Sequence, residues 1–202
     1  QAYHNECIGS LSLGVKIGET YTDYSQGSVR QTGGTYDLAL SGSGFFTVSV
    51  ADKAGEVHTR YTRDGRFHLT KDGLLVDADG NAVQGQNGNI TIDPSSKNVS
   101  ISATGQITAD GELVDTLNIV DFEDYDYLKK YGDTMYEPVD GATTKDAEGE
   151  ILQGYTEQSN VNVVREMVDM ITITRAYEAS QKVIHSYDSM LGKSVNQVGA
   201  LK

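Results

Sequence analysis

The sequence predicts a mostly β protein: a compact all-β domain of short strands and hairpins, plus one long C-terminal α-helix. Two observations lead there. Asp-Gly or Asn-Gly pairs recur at 64–65, 72–73, 79–80, 87–88 and 110–111, each flanked by short apolar alternation. Glycine and proline then vanish from Ser159 to Leu191, where apolar residues return at intervals of three and four. The organisation expected is an extended, linking segment over 1–34, a β domain over 35–150 and a C-terminal assembly helix over 151–202.

Residues 1–34 are rich in Gly, Ser and Thr with weak alternation, so extended chain and isolated strands are expected. From Tyr36 the pattern sharpens. YDLAL puts Tyr36, Leu38 and Leu40 on one side, and FTVSV does the same with Phe46, Val48 and Val50. The Gly42-Ser43-Gly44 between them lacks the following helix that a phosphate loop requires, and reads as a turn. The Asx-Gly pairs suit primed hairpin turns, because Asp and Asn tolerate positive φ and Gly prefers it. They punctuate a meander of RFHLT, LLVD, NAVQ, NITID, VSISA, QITA, ELVD and TLNIVDF. Residues 121–150 hold ten acids and three lysines. A short amphipathic turn at Tyr125–Tyr131 is expected to lay Leu128 and a tyrosine on the sheet, with the remainder a solvated acidic connection.

Composition excludes several functions. The formal net charge is −13; from Asn160 onward five basic and four acidic residues give +1, leaving −14 on the body. Such a surface repels phosphate backbones, so nucleic acid is not an expected partner. No apolar run reaches membrane-spanning length, and the chain opens without the pattern of a secretory signal. A single cysteine, Cys7, excludes an internal disulfide, and His4 with Cys7 is too few ligands for a metal. The four histidines stand alone and no GxSxG elbow exists. Carboxylate pairs for glycosidic cleavage would come from turn residues, and the chain has no Trp for a sugar platform. Asp77, Asp79 and Asn81 imitate a calcium loop, but Gly80 and Gly88 fall at the wrong positions. No enzymatic activity, cofactor, metal or small-molecule substrate is expected. The alternative from another class is an extracellular β module binding glycan or calcium through its acidic turns.

The helix carries the strongest functional signal. Ser159, Asn160 and Asn162 suit its start, and Glu166 suits the dipole. Val161 to Leu191 would span about 46 Å at 1.5 Å per residue. Alternate steps of four and three from Val163 give Val163, Met167, Met170, Thr174, Tyr177, Gln181, Ile184, Asp188, Leu191, Val195 and Val198, with polar interruptions at three places. Val164, Val168 and Ile171 widen the stripe early. Strands of five or six residues run only ~17–20 Å, so a sheet covers less than half of such a helix. Each large apolar side chain left in water forfeits roughly 1.5–3 kcal/mol. Another helix must cover the rest, in coiled-coil fashion, and the expected interface is Val164, Met167, Val168, Ile171, Tyr177, Ile184, Leu191 and Val195. Left alone, the helix is expected to pair with another molecule or to fold back over the β domain.

Four stretches stand in order along the chain: LALSGSGFFTVSV, YTRDGRFHLTKDGLLVDADGNAVQG, ISATGQITADGEL and QGYTEQSNVNVVREMVDMITITRAYEASQKVIHSYDSMLGKSVNQVG. They resemble the axial proteins of the bacterial flagellum, most closely the proximal and distal rod proteins of the basal body, with the hook protein a longer relative. The resemblance implies an N-terminal helix that this sequence lacks, and hence a truncated chain. It further implies that terminal helices pair into an inner tube with the β domain outside, without catalytic residues. Copies of itself and other rod or hook proteins are the implied partners, and export proceeds through the flagellar apparatus without a cleaved signal.

Overall fold

The computed structural model describes residues 20–52 and 55–198. His4 and Cys7 lie outside them. Among the described residues every strand pair is antiparallel, as short strands joined by tight turns require. The strands form no closed barrel, and one long helix follows them.

The largest sheet runs, in order, through Leu128–Tyr131, Met135–Pro138, Val57–Thr62, Phe45–Ala51, Ala82–Gly85, Leu75–Val76 and His68–Leu69. Phe45–Ala51 is its pivot, pairing with Val57–Thr62, with Ala82–Gly85 and with Ile119–Phe122. Its side chains serve two cores at once. Phe46 and Val48 enter the main cluster with Leu38, Leu40, Leu75, Val83, Ile90, Ile92, Ile107 and Ile151. Phe45 points the other way, into an aromatic cluster with Phe122, Leu128, Tyr24, Tyr125 and Tyr136. Alternation therefore holds as geometry while burial is continuous from Phe45 to Val48.

The turns are more varied than the Asx-Gly pattern suggests. Only Asp110-Gly111, with φ of 51° and 93°, has positive φ at both positions, and it closes a two-residue hairpin between Ala109 and Glu112. At 70–73, 77–80 and 102–105 the chain instead makes a four-residue turn that ends on a glycine with positive φ. Gly65 has another role: a Cβ there would lie 1.7 Å from the Leu38 carbonyl oxygen, so glycine permits a close strand approach.

Residues 121–150 correct the expectation of a mostly solvated connection. The turn at Tyr125–Tyr127 exists, and Leu128 is buried. Beyond it, Leu128–Tyr131, Met135–Pro138 and Thr144–Asp146 are strands. Glu150–Gln153 pairs with Leu38–Ser41 and carries Ile151 into the main core. The acids lie outward on these strands, which is why charge density hid them. Val57–Thr62 escapes the sequence pattern for a different cause: VHTRYT lacks a run of large apolar residues, leaves Val57 exposed and buries Thr62 instead.

Asp121 ties this region down. Its side chain is fully buried; Oδ1 accepts from the Tyr125 hydroxyl and the Phe122 amide at 2.8 Å each, and Oδ2 faces the Lys145 ammonium at 3.2 Å. Burial alone would raise its pKa, but the hydrogen bonds from Tyr125, Ser43 and Phe122 and the Lys145 ammonium outweigh it and hold the carboxyl below its ordinary value. Burial, reinforced by the hydrogen bond to Asp121, pushes Tyr125 up to about 12. Each shift sets a limb of the stability profile. The Asp121 contribution is complete above about pH 4 and disappears as pH falls through the lowered folded value. The Tyr125 contribution is complete below about pH 10 and disappears as pH rises through its raised value. In urea unfolding followed against pH, Asp121→Asn should flatten the acid limb and Tyr125→Phe the alkaline limb, and because each group helps set the other's shift, each variant should also shrink, without abolishing, the opposite limb.

Candidate assembly surface

The helix occupies Val163–Lys193, 31 residues or about 46 Å, and continues as one π-helical turn over Ser194–Val198. Asn162 caps it, its Oδ1 accepting from the Arg165 amide at 3.1 Å, and Glu166 lies in the first turn. Ser159 and Asn160, expected to share the cap, do other work. The Ser159 hydroxyl accepts from the Val161 amide, and the Asn160 amide donates across to the Asp23 and Ser25 carbonyl oxygens at 3.2 and 3.1 Å.

That last contact belongs to a joint where the chain enters and leaves the β domain side by side. Val29–Gln31 pairs with Tyr155–Glu157, and Gln158 donates its amide to the Ser28 carbonyl. Gly27 lies so close that a Cβ would stand 1.7 Å from the Gln158 carbonyl oxygen. Its amide donates to Glu157 Oε1 at 2.9 Å, while Arg63 Nε donates to Oε2 at 2.7 Å. The same guanidinium donates to the carbonyls of Gly44 and Gly42. Arg63 thus fastens the Gly42-Ser43-Gly44 turn to the last strand before the helix. Sequence reasoning missed it, because its partner lies 94 residues away and follows no local period. A cleft of about 670 Å³ opens at this joint, bordered by Tyr24, Arg30, Phe45, Arg66 and Tyr136.

Beyond the joint no described side chain of the helix is buried, and the helix does not fold back over the β domain. All eight expected interface residues are in solvent, from Ile171 at 53% exposure to Val164 at 71%. At about 100° per residue they divide into two sets. Val164, Met167, Val168 and Ile171 share one side; Tyr177, Ile184, Leu191 and Val195 share the opposite one. Thr174, an interruption in the stripe, donates its hydroxyl to the Met170 carbonyl at 2.8 Å and presents a methyl outward with no unmet polar group.

Other candidate chemistry dissolves into structure. Asp77 Oδ1 accepts from the Asp79 and Asn81 amides at 2.9 and 2.8 Å, and Oδ2 from the Asn81 side chain at 3.0 Å, so this carboxylate shapes its turn. Among the described residues no group of three or more His, Cys, Asp or Glu could hold a metal ion. No helix among them is long and apolar enough to cross a membrane.

Residues 152–198 match the family described as flagellar basal body rod FlgEFG protein C-terminal, and residues 39–109 match the flagellar hook protein FlgE/F/G D1 domain. The flagellar basal-body rod protein FlgG of Buchnera aphidicola subsp. Schizaphis graminum is 36% identical, covering 91% of this chain and 73% of its own length. The chain belongs to the flagellar basal-body rod protein family. Agrobacterium fabrum FlgG is 34% identical over 90% of this chain and 71% of its own, and Caulobacter vibrioides basal-body rod protein FlgF is 34% identical over 89% and 72%. In this rod-family chain the C-terminal match runs from the last strands through the joint and the helix, and the D1 match covers the pivot strand and most of the main core.

Arg63 and Glu157 are largely buried, with side chains 23% and 10% exposed. Arg63→Ala should therefore lower unfolding stability by about 3 kcal/mol, since it leaves Glu157 without its cation. Arg63→Lys should restore little, because an ammonium lacks the fork that spans Glu157 and two carbonyls. Denaturant titration checks both. Gly27→Ala should speed amide exchange at Ser28–Gln31 and Tyr155–Gln158 while Phe46 and Val83 keep full protection.

Proposed function

We propose that this chain is a structural subunit of the flagellar basal-body rod, built into the axial drive shaft by self-assembly through its terminal helix. The observation that carries this is the exposed helix, whose 31 residues bury no side chain of their own while the β domain closes two cores without it. Membership of the rod family supplies the setting: a basal body in the cell envelope, reached by flagellar export and shared with other rod and hook proteins. Copies associate head to tail as an open helical array. Burial of the helix against neighbouring helices, in a coiled-coil manner, gives the shaft torsional stiffness. Val164, Met167, Val168, Ile171, Tyr177, Ile184, Leu191 and Val195 carry that contact. The role is structural, with no catalytic step.

Met167→Asp or Ile171→Asp, placed in the full-length gene, should stop rod completion and swimming, because each inserts a charge where an apolar contact forms. The thermal unfolding of the purified chain should stay within roughly 1–2 °C of the parent, the effect of a surface change. Normal swimming in both variants would refute the proposal.

A further inference from the structure

Among the Asx-Gly pairs of the chain, Asn87-Gly88 alone begins with an amide. An Asn-Gly bond can rearrange without an enzyme. The Gly88 nitrogen attacks the Asn87 side-chain carbonyl carbon; a nitrogen–carbon bond forms, the side-chain carbon–nitrogen bond breaks, and ammonia leaves carrying the proton of the Gly88 amide. Water then opens the five-membered imide at either carbonyl, leaving aspartate or isoaspartate where asparagine stood. Glycine favours the attack because it has no Cβ to obstruct the ring. A carboxylate is a far weaker electrophile than an amide, so the Asp-Gly turns resist the same cyclisation.

Asn87 and Gly88 are both exposed to water, at the tip of the hairpin that pairs Ala82–Gly85 with Gly88–Asn89. The Asn87 side chain is nevertheless held. Its Nδ2 donates to Asp115 Oδ1 at 2.9 Å, and this nitrogen is the atom that must depart as ammonia. A carboxylate accepting from the amide also pushes electron density toward the carbonyl carbon, which makes that carbon less open to attack. Asp115 is itself a fixed point. It is buried, its Oδ1 also accepts from the Thr116 amide at 2.7 Å, and its carboxylate lies against Gly85, where any Cβ would collide with it. Around it the Gln86 amide donates to the Thr116 carbonyl at 2.9 Å, the Asn118 amide donates to the Gln84 carbonyl at 3.1 Å, and Gly85 bridges to Leu117. The hairpin tip thus rests on residues 115–118.

The two partners depend on each other. Among the described residues no lysine, arginine or histidine forms an ion pair with Asp115, and the side chain that donates to it is the Asn87 amide. Deamidation would replace that donor with a second carboxylate in the same place. Like charges would then face each other, one of them buried and stripped of its donor. Isoaspartate would also lengthen the backbone by a methylene just ahead of the fully buried Ile90.

We infer that Asn87-Gly88 is a self-modification site of this chain, and that Asp115 is the positioning residue that keeps it closed by holding the leaving amide. Reaction is confined to moments when the hairpin tip lifts off Asp115, and once it has occurred the tip no longer seats there. The chemistry does not depend on what the chain assembles into.

Peptide mapping by mass spectrometry, on the full-length chain incubated at mildly alkaline pH, tests it. In the folded parent, conversion at Asn87 should run roughly ten- to a hundredfold slower than in a peptide spanning 82–92, the factor that one charge-assisted hydrogen bond places on opening. Asp115→Ala should remove most of that protection. Asp115→Asn, whose neutral oxygen still accepts but more weakly, should fall between the two, and it decides the matter if the alanine variant does not fold. Phe67→Leu, a core change that leaves the pair in place, should keep the parent's rate under conditions where the chain stays folded. A parent that converts as fast as the peptide overturns the inference, as do Asp115 variants that convert no faster than the parent. Equal acceleration by Phe67→Leu would show that stability, and not the Asn87–Asp115 contact, sets the rate, and overturns it too.

Discussion

An extended helix that leaves its large apolar residues in water is the constraint on which the rest of this structure depends. Each such residue costs roughly 1.5–3 kcal/mol if never covered, and a handful equals the net stability of a typical domain. The β domain cannot meet that demand. Its two cores are already closed by its own residues, Leu38, Phe46, Val83, Ile92 and Ile151 in one and Phe45, Phe122 and Leu128 in the other. One chain therefore contains a self-sufficient part and an unfinished part. The unfinished part is a helix whose described side chains are all left in solvent.

Much of this was legible in the sequence because short-range physics fixes it. Alternation in YDLAL and FTVSV located two strands that supply the core, and Ser159, Asn160 and Asn162 with Glu166 placed the helix start within two residues of Val163. Legibility failed where the determining partner is distant or the pattern has two parts. Arg63 sits in YTRDG with no local reason to be singled out, and its role exists only once Glu157 and the Gly42 and Gly44 carbonyls converge on it. The strands within 121–150 carry their acids on the outer face, so a composition reading sees a polar stretch where Leu128 and Met135 are buried, with Ile151 just beyond it.

The helix shows a third kind of failure. Counting one seam from Val163 forces a single stripe, and the interruptions at Thr174, Gln181 and Asp188 then look like imperfections. They fall where the apolar surface has already moved to the other side. Thr172 and Thr174 mark the change, and both satisfy their hydroxyls on backbone oxygens one turn back, so the crossing introduces no unmet donor.

The joint between helix and β domain has a mechanical consequence. Val29–Gln31 and Tyr155–Glu157 are antiparallel neighbours, so a load drawing the helix away from the domain would open their rungs one after another, like a zip, instead of straining them together. Such a geometry resists poorly unless its first tooth is reinforced. Glu157 is that tooth, gripped from outside the pair by Arg63 and by the Gly27 amide. The arginine acts as a crack-stopper, placed where the helix would begin to tear free of the β domain.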